Sequence, residues 1–449
     1  MKQGNLVELD ITDLSSRGDG IGHVDGMVIF VPDTVPGDRT RVRIVRCKRQ
    51  YAHAKVEAIL KSSIDRIRPR CIVADKCGGC QWHHIDIAYQ RQAKQKQVFE
   101  ALNRIGGFQT PSVTPLVFNQ SDLGYRNKVT YPLKRSRDGK VQAGYYRRNS
   151  HQLVNLNQCP VQDQRLNPIL CEVKQDIEAQ GWSIYQENRH QGKLRHLSLR
   201  IGRRTGEKLL TLVSTDWNLP DLSEQAQEWV NRYPQLTGVC LNHNPAKSNK
   251  IFGDQTRAIA GQPYLRETFA DLEFYLGSDT FFQINTEVAE ILLAHISEQL
   301  MLTGEEIILD AYCGIGTFTL PLAQQVKQAV GIEIHLPSLT QAKFNAQQNQ
   351  ISNVIWIGES VENGLNALTV NPDVALLDPP RQGCKLDVIE KLLTLNIPRI
   401  VYVSCQPATL ARDLKYLCLN QMYRLKTVLT ADFFPQTPHV ESVAFLERN

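Results

Sequence analysis

Apolar and polar positions alternate along the start of the chain. LVELDI, MVIFV, RVRIV and AKVEAIL each set every second side chain on one face, and RGDGIG, VDG and VPGD interrupt them. A period of two broken by turn residues predicts short strands that close into a small β-barrel or sandwich over residues 5–61. No helical pattern follows the glycines of RGDGIGHVDG, so they read as turns and not as a dinucleotide loop. A helix is expected from about Asp86 to Arg104. Strand patterns return over 119–265 in runs such as LRHLSLRIG, KLLTLVS and LTGVCLN. From about Thr286 onward, helical stretches alternate with short buried-strand runs, the pattern of a doubly wound α/β domain. There is no internal repeat and no low-complexity tract.

A chain of 449 residues with 42% hydrophobic positions can bury several cores, and two to four domains are expected. No apolar run reaches the roughly 18 residues of a membrane span, and MKQGNLVELDITDL has neither the basic nor the apolar region of a secretory leader. No membrane association and a cytoplasmic location are expected. Eleven scattered cysteines then point to metal or catalytic uses before disulfides. The net charge of +5 is mild, but its distribution is uneven. Residues 39–70 carry eleven Lys or Arg against Glu57 and Asp65. A second basic stretch, from Tyr125 to Arg148, interleaves Arg126, Lys128 and six further cations with Tyr125, Tyr131, Tyr145 and Tyr146. Cations neutralise phosphates and aromatic faces stack on unpaired bases, so together these stretches lean towards a polyanion such as RNA, with Arg126 and Lys128 as candidate contacts. A solvated charged face is the competing reading.

Three segments carry chemistry. CIVADKCGGCQWHH spaces Cys71, Cys77 and Cys80 as C-x5-C-x2-C, close enough to share one soft metal centre, with Cys159 of NQCPV as a fourth candidate. Zinc held with His83 or His84 fits the spacing as well. EEIILDAYCGIGTFTLPLA sets an apolar strand, Asp310, a glycine turn and a helix in succession, and QAVGIEI ends a second strand in Glu333, where an acid can accept from ribose hydroxyls. With the full G-x-G-x-x-G absent, S-adenosylmethionine is favoured over a dinucleotide. DVALLDPPRQGC runs a third strand into Asp378, and Cys405 follows the apolar run Arg399–Ser404.

Taken together, these segments resemble the RNA uracil-5-methyltransferases, and most closely the bacterial 23S rRNA (uracil-5-)-methyltransferases with a TRAM domain and a [4Fe–4S] cluster. The resemblance rests on the β-rich start, the cysteine spacing, FFQIN at 281–285, DAYCGIGTFTLPLA, DPPRQG, SCQPATLARDL and HVESV at 439–443. It implies a multidomain α/β protein with an OB-like TRAM barrel over 1–62. A central β-rich domain with the iron–sulfur cluster would span 63–85 and 119–265, and a Rossmann-like class I methyltransferase domain 86–118 and 266–449. It makes Cys71, Cys77, Cys80 and Cys159 the cluster ligands. Gln283, Tyr312, Glu333 and Asp378 become contacts to S-adenosylmethionine or the target base, with Thr317 and Ser360 as further polar cofactor contacts. Cys405 is then the nucleophile that adds to uracil C6, and Glu441 the base that removes the C5 proton. Cys313 and Cys384 are rival thiols, and no cysteine follows a proline as in cytosine-5 RNA methyltransferases. A monomer acting on RNA, with 23S rRNA favoured over tRNA, is the expectation. An adenine amino-group methyltransferase, or an RNA-binding or redox-sensing protein without activity, are the alternatives.

Overall fold

The computed structural model describes residues 1–449, the side chain of Asn420 aside. The alternation at the start of the chain closes a five-stranded barrel in the order Leu6–Leu14, Gly20–Val24, Met27–Val31, Tyr51–Lys61, Arg39–Cys47. Its inward positions, among them Leu9, Ile11, Ile29, Val31, Val42 and Ile44, form a separate small core. Closure removes the free edges that a short sheet would otherwise expose.

A seven-stranded sheet follows, ordered Gln255–Gly261, Leu236–His243, Lys208–Ser214, Leu194–Ile201, Lys128–Arg135, Val141–Tyr146, Leu153–Asn155. Helices Asn167–Ala179 and Leu222–Arg232 contribute Ile169, Val173 and Trp229 to its core. Two of the four tyrosines of the second basic stretch, Tyr125 and Tyr131, go inward, contrary to the stacking role expected of them, while Tyr145 and Tyr146 stay partly exposed. Tyr125 and Tyr131 are 1% exposed, and their hydroxyls donate to the Pro435 carbonyl (3.1 Å) and to Gln162 Oε1 (2.6 Å).

The second seven-stranded sheet runs Val354–Ile357, Gln328–Ile332, Ile307–Asp310, Val374–Leu377, Arg399–Ser404, Glu441–Arg448, Tyr423–Ala431. The first five strands are parallel, and Glu441–Arg448 enters antiparallel between Arg399–Ser404 and Tyr423–Ala431. The parallel strands are largely apolar because helices cover both faces. The helix Ile87–Ala101, capped by Asp86, packs against this unit. Val98, Leu102 and Leu116 share a core with Leu309, Leu377 and Leu410. The expected helix thus continues to Ala101 as α and passes into a π turn over Leu102–Gly106. Carboxyl ends of all five parallel strands open on one edge, where the strand order reverses beside Ile307–Asp310, and a ligand site is expected there.

Candidate active site

The mouth of this sheet gathers the predicted chemistry. Arg399–Ser404 and Glu441–Arg448 pair with Ser404 opposite Ser442, so the next positions out, Cys405 and Glu441, face each other across the two strands. Directly opposed residues lie about 5 Å apart at Cβ and share a face. Ser404 and Ser442 are buried, whereas Cys405 and Glu441, at the strand ends, are only partly buried. Asp378 follows Leu377, whose partner is Tyr402 on the neighbouring strand.

The loop after Asp378 is firmly held. Cys384 N donates to Tyr402 Oη (3.1 Å) and to Asp413 Oδ2 (2.9 Å), Tyr402 Oη donates to the same carboxylate (2.6 Å), and Arg412 donates to Asp413 and to the Gln382 carbonyl. That fixes Arg381, whose guanidinium stands close enough to the Cys405 thiol to favour its ionised form. Sequence pattern gives this arginine no role of its own; the one signal for it is its place directly after Asp378-Pro-Pro. The rival thiols are closed off. Cys313 and Cys384 are 5% and 4% exposed, whereas Cys405 is partly open to solvent.

Electrostatics couple these groups. Burial first, and the Glu441 carboxylate second, push the Cys405 thiol up to about 11, with Arg381 opposing. Burial and the charge of Asp378 hold the Glu441 carboxyl well above its ordinary range, again against Arg381. Burial raises Asp378 to about 7, with Asp310 adding to the rise. The Cys405 thiol, Glu441 and Asp378 are thus all shifted upward around one exposed cation, and Asp378 reaches the range where acid–base work is done.

The cofactor candidates flank the same mouth. Gly314 takes φ +55 with open space where a Cβ would stand, and Glu333 Oε2 accepts from its N–H (3.0 Å) while Oε1 accepts from His335 N (2.6 Å). Each Glu333 oxygen keeps a lone pair for a ribose hydroxyl. This open glycine turn beside a tethered carboxylate fits a nucleoside. Tyr312 Oη donates to Cys384 Sγ at 3.8 Å, and Thr317 is buried in the turn. Ser360 caps the helix Val361–Gly364, accepting from Asn363 N at 3.3 Å, a local role that already accounts for its hydroxyl. Gln283 is steadied from the central domain: Asn127 Nδ2 donates to the Gln283 carbonyl (2.8 Å), and Arg200 donates to the carbonyls of Gly277 (2.7 Å) and Thr280 (2.6 Å) in the turn before it.

Lys128 belongs to that scaffold. Its Nζ donates to the Ser278 carbonyl (3.0 Å) and lies over the Phe252 ring, so it supports the turn leading to Gln283 and is not a free phosphate ligand. Arg126 is likewise redirected. It lines a small cavity with Cys71, Cys77, Cys80 and Cys159, and its Nε has no partner. The four thiols thus do surround one space, together with His83 but no carboxylate, and burial raises Cys77, Cys80 and Cys159. Glycine is required at 78, where a Cβ would stand 2.7 Å from the Tyr146 carbonyl oxygen, and the space at Gly79 is tight, with a Cβ 3.1 Å from Tyr145 Cδ2. Soft donors and an unpartnered guanidinium suit an anionic thiolate-held group in kind. Among the described residues, however, no three His, Cys, Asp or Glu side chains converge to hold a single metal ion.

Comparison with known proteins agrees with this architecture. The family described as tRNA (uracil-5-)-methyltransferase matches residues 253–449, and the TRAM domain matches residues 1–56. An RNA methyltransferase of Nostoc sp. is 60% identical over 444 residues, covering 99% of this chain and 96% of that one. One from Synechocystis sp. is 56% identical over 446 residues, with 99% and 96% covered. The crystal structure of Pyrococcus abyssi tRNA (uracil-54, C5)-methyltransferase in complex with S-adenosyl-L-homocysteine superposes with a TM-score of 0.78 at 27% identity, covering 98% of this chain and 100% of that one. Fold and site thus define an S-adenosylmethionine-dependent RNA methyltransferase. The chain belongs to the tRNA (uracil-5-)-methyltransferase family and carries an N-terminal TRAM domain.

Proposed function

We propose that the protein methylates C5 of a uridine in RNA through a covalent adduct between Cys405 and C6. One observation carries this reading: Cys405 and Glu441 face each other from adjacent strands beside Asp378 and Arg381. Uracil C5 is a weak nucleophile. Addition of the Cys405 thiolate to C6 places electron density on C5 and O4, and C5 then takes a methyl group that S-adenosylmethionine supplies. Glu441, more basic than an ordinary carboxylate, removes the remaining C5 proton, and the electrons of that C–H bond reform the C5–C6 double bond as the thiolate leaves. Arg381 offsets the negative charge of the thiolate, and Asp378 is placed to hydrogen-bond the pyrimidine edge. Gln283, Tyr312, Thr317, Glu333 and Ser360 are proposed to hold the methyl donor.

The substrate we favour is 23S rRNA, from the joint presence of the barrel and the cysteine segment. Mapping 5-methyluridine in rRNA and tRNA from a deletion strain decides between the two; loss confined to tRNA would overturn the rRNA assignment. We further propose that Cys71, Cys77, Cys80 and Cys159 hold a [4Fe–4S] cluster. Its role would be structural or in RNA recognition, because methyl transfer moves no net electrons. Protein purified without oxygen should be brown and contain iron, and a colourless preparation holding one zinc would contradict this.

The catalytic roles separate cleanly. Cys405→Ala should form neither adduct nor product. Glu441→Gln should add and methylate, then stall as a protein–RNA conjugate labelled by the donor's methyl group. Normal turnover by Glu441→Gln, or an adduct mapped to Cys313 or Cys384, would refute the assignment.

A further inference from the structure

The segment 432–440, which delivers Glu441 to the cleft, is held from the side of the cysteine cavity. Tyr125 packs against Cys159 and Cys80 and donates its hydroxyl to the Pro435 carbonyl at 3.1 Å. Two residues beyond Cys80, Trp82 N donates to the Gln436 carbonyl (2.9 Å). A wholly buried glutamine completes the link. Gln90 Nε2 contacts the carbonyls of Trp82 (3.0 Å) and Ile85 (2.9 Å) and Gln436 Oε1 (3.2 Å), and Gln90 Oε1 accepts from Gln436 N (2.9 Å). Gln436 itself is 1% exposed and held at φ +71, a conformation that non-glycine residues adopt only where their surroundings impose it. Its Nε2 donates to Asp122 Oδ2 (2.8 Å). The buried Lys94–Asp432 pair (2.5 Å) and a bond from Lys94 to the Phe434 carbonyl (3.0 Å) fix the near end of the segment.

These contacts join two places the reaction does not require to be joined, the cavity of the four thiols and the loop that ends on the base. We propose that Tyr125 and the Gln90–Gln436 pair are positioning residues for Glu441, through which the state of the cysteine cavity sets how firmly Glu441 is held in the cleft. The inference rests on the reading of Glu441 as the base and of the cavity as a metal centre. It goes beyond both by giving the cavity a consequence at the active site.

Hydrogen exchange tests it without relying on activity. In full-length protein purified without oxygen, removal of the metal with a chelator should speed exchange of the 432–441 amides about tenfold or more, while strands Ile307–Asp310 and Val374–Leu377 stay unchanged. A change confined to residues 71–85, or spread evenly over the chain, overturns the coupling. Tyr125→Phe keeps the ring and its packing and removes only the bond to Pro435, so it should fold even if Gln90→Met does not. With metal bound, it should loosen 432–441, slow resolution of the methylated adduct about threefold or more, and leave KM for RNA unaltered. Wild-type exchange and adduct resolution in Tyr125→Phe would sink the proposal. Protein free of metal would instead sink the cavity reading, and normal turnover by Glu441→Gln the reading of the base, so the three failures are distinguishable.

Discussion

At the scale of single residues, the active site sets three acids against one cation, and each choice has a measurable cost. Asp378 is the clearest case. Its folded pKa of about 7 lies above the unfolded value near 3.8, so its ionisation opposes folding. The stability it allows is full below about pH 4 and is lost as pH rises through 7. Asp378→Asn should therefore stabilise the protein by about 1–3 kcal/mol at pH 8, with the gain shrinking towards pH 4, while activity falls. Thermal melts across that range check it; a gain that grows on acidification would contradict this assignment. Arg381 works in the other direction. Burial has pushed Cys405 to about 11, and the guanidinium restrains the rise. Arg381→Met should slow alkylation of Cys405 at pH 8 by roughly three- to tenfold, with near-equal rates well above pH 11 where the thiol is ionised in either protein. Equal rates at pH 8 would mean that Arg381 does not tune the thiol.

Elements show what the sequence could and could not disclose. The barrel was legible because one face of each short strand is apolar, and the parallel strands because their runs are apolar on both faces. The position of Glu441 was not legible. Nothing local in PHVESV says that its strand enters between two earlier ones, since strand order is a property of distant pairings. The setting of Lys128 was hidden for a related reason. Charge in a sequence suggests solvent, yet a cation whose donors meet carbonyls can hold a buried turn, as Lys128 does at Ser278 and Arg200 at Gly277 and Thr280. The loop carrying Arg381 depends on one residue that the pattern could not single out. Gly383 has φ +77, and a Cβ there would stand 2.3 Å from Asp413 Oδ2. Gly383→Ala should cost about 2–4 kcal/mol and displace Arg381, to be read from denaturant unfolding and from the alkylation rate of Cys405. A variant as stable as the parent would show that the loop can shift freely.

For the whole molecule, the basic stretch 39–70 divides into two kinds of cation. Arg41 pairs with Glu8, Arg43 with Glu57 and Arg66 with Asp38, so these serve the barrel. Among the described residues, Arg46, Lys48, Arg49, Lys61 and Arg68 are exposed with no carboxylate within reach, and they remain for a phosphate backbone. A groove of about 400 Å3, lined by Ser15, Trp82, Lys96, Arg104 and Gln406, leads from the barrel to the residue after Cys405. Neutralising Lys48 and Arg49 together should weaken RNA binding and flatten its logarithmic salt dependence by roughly 0.7 for each phosphate that is no longer neutralised. An unchanged slope would place the RNA elsewhere. The late insertion of Glu441–Arg448 also bears on how the protein is made. Both of its neighbours leave the ribosome first, and until it arrives they face each other across an open seam with unpaired N–H and C=O groups on either side. A chain paused in that interval presents two sticky edges near one end of its own sheet, and another strand can take the empty place. The thiol is thus synthesised well before its partner acid, and the same step that closes the seam makes the pair complete.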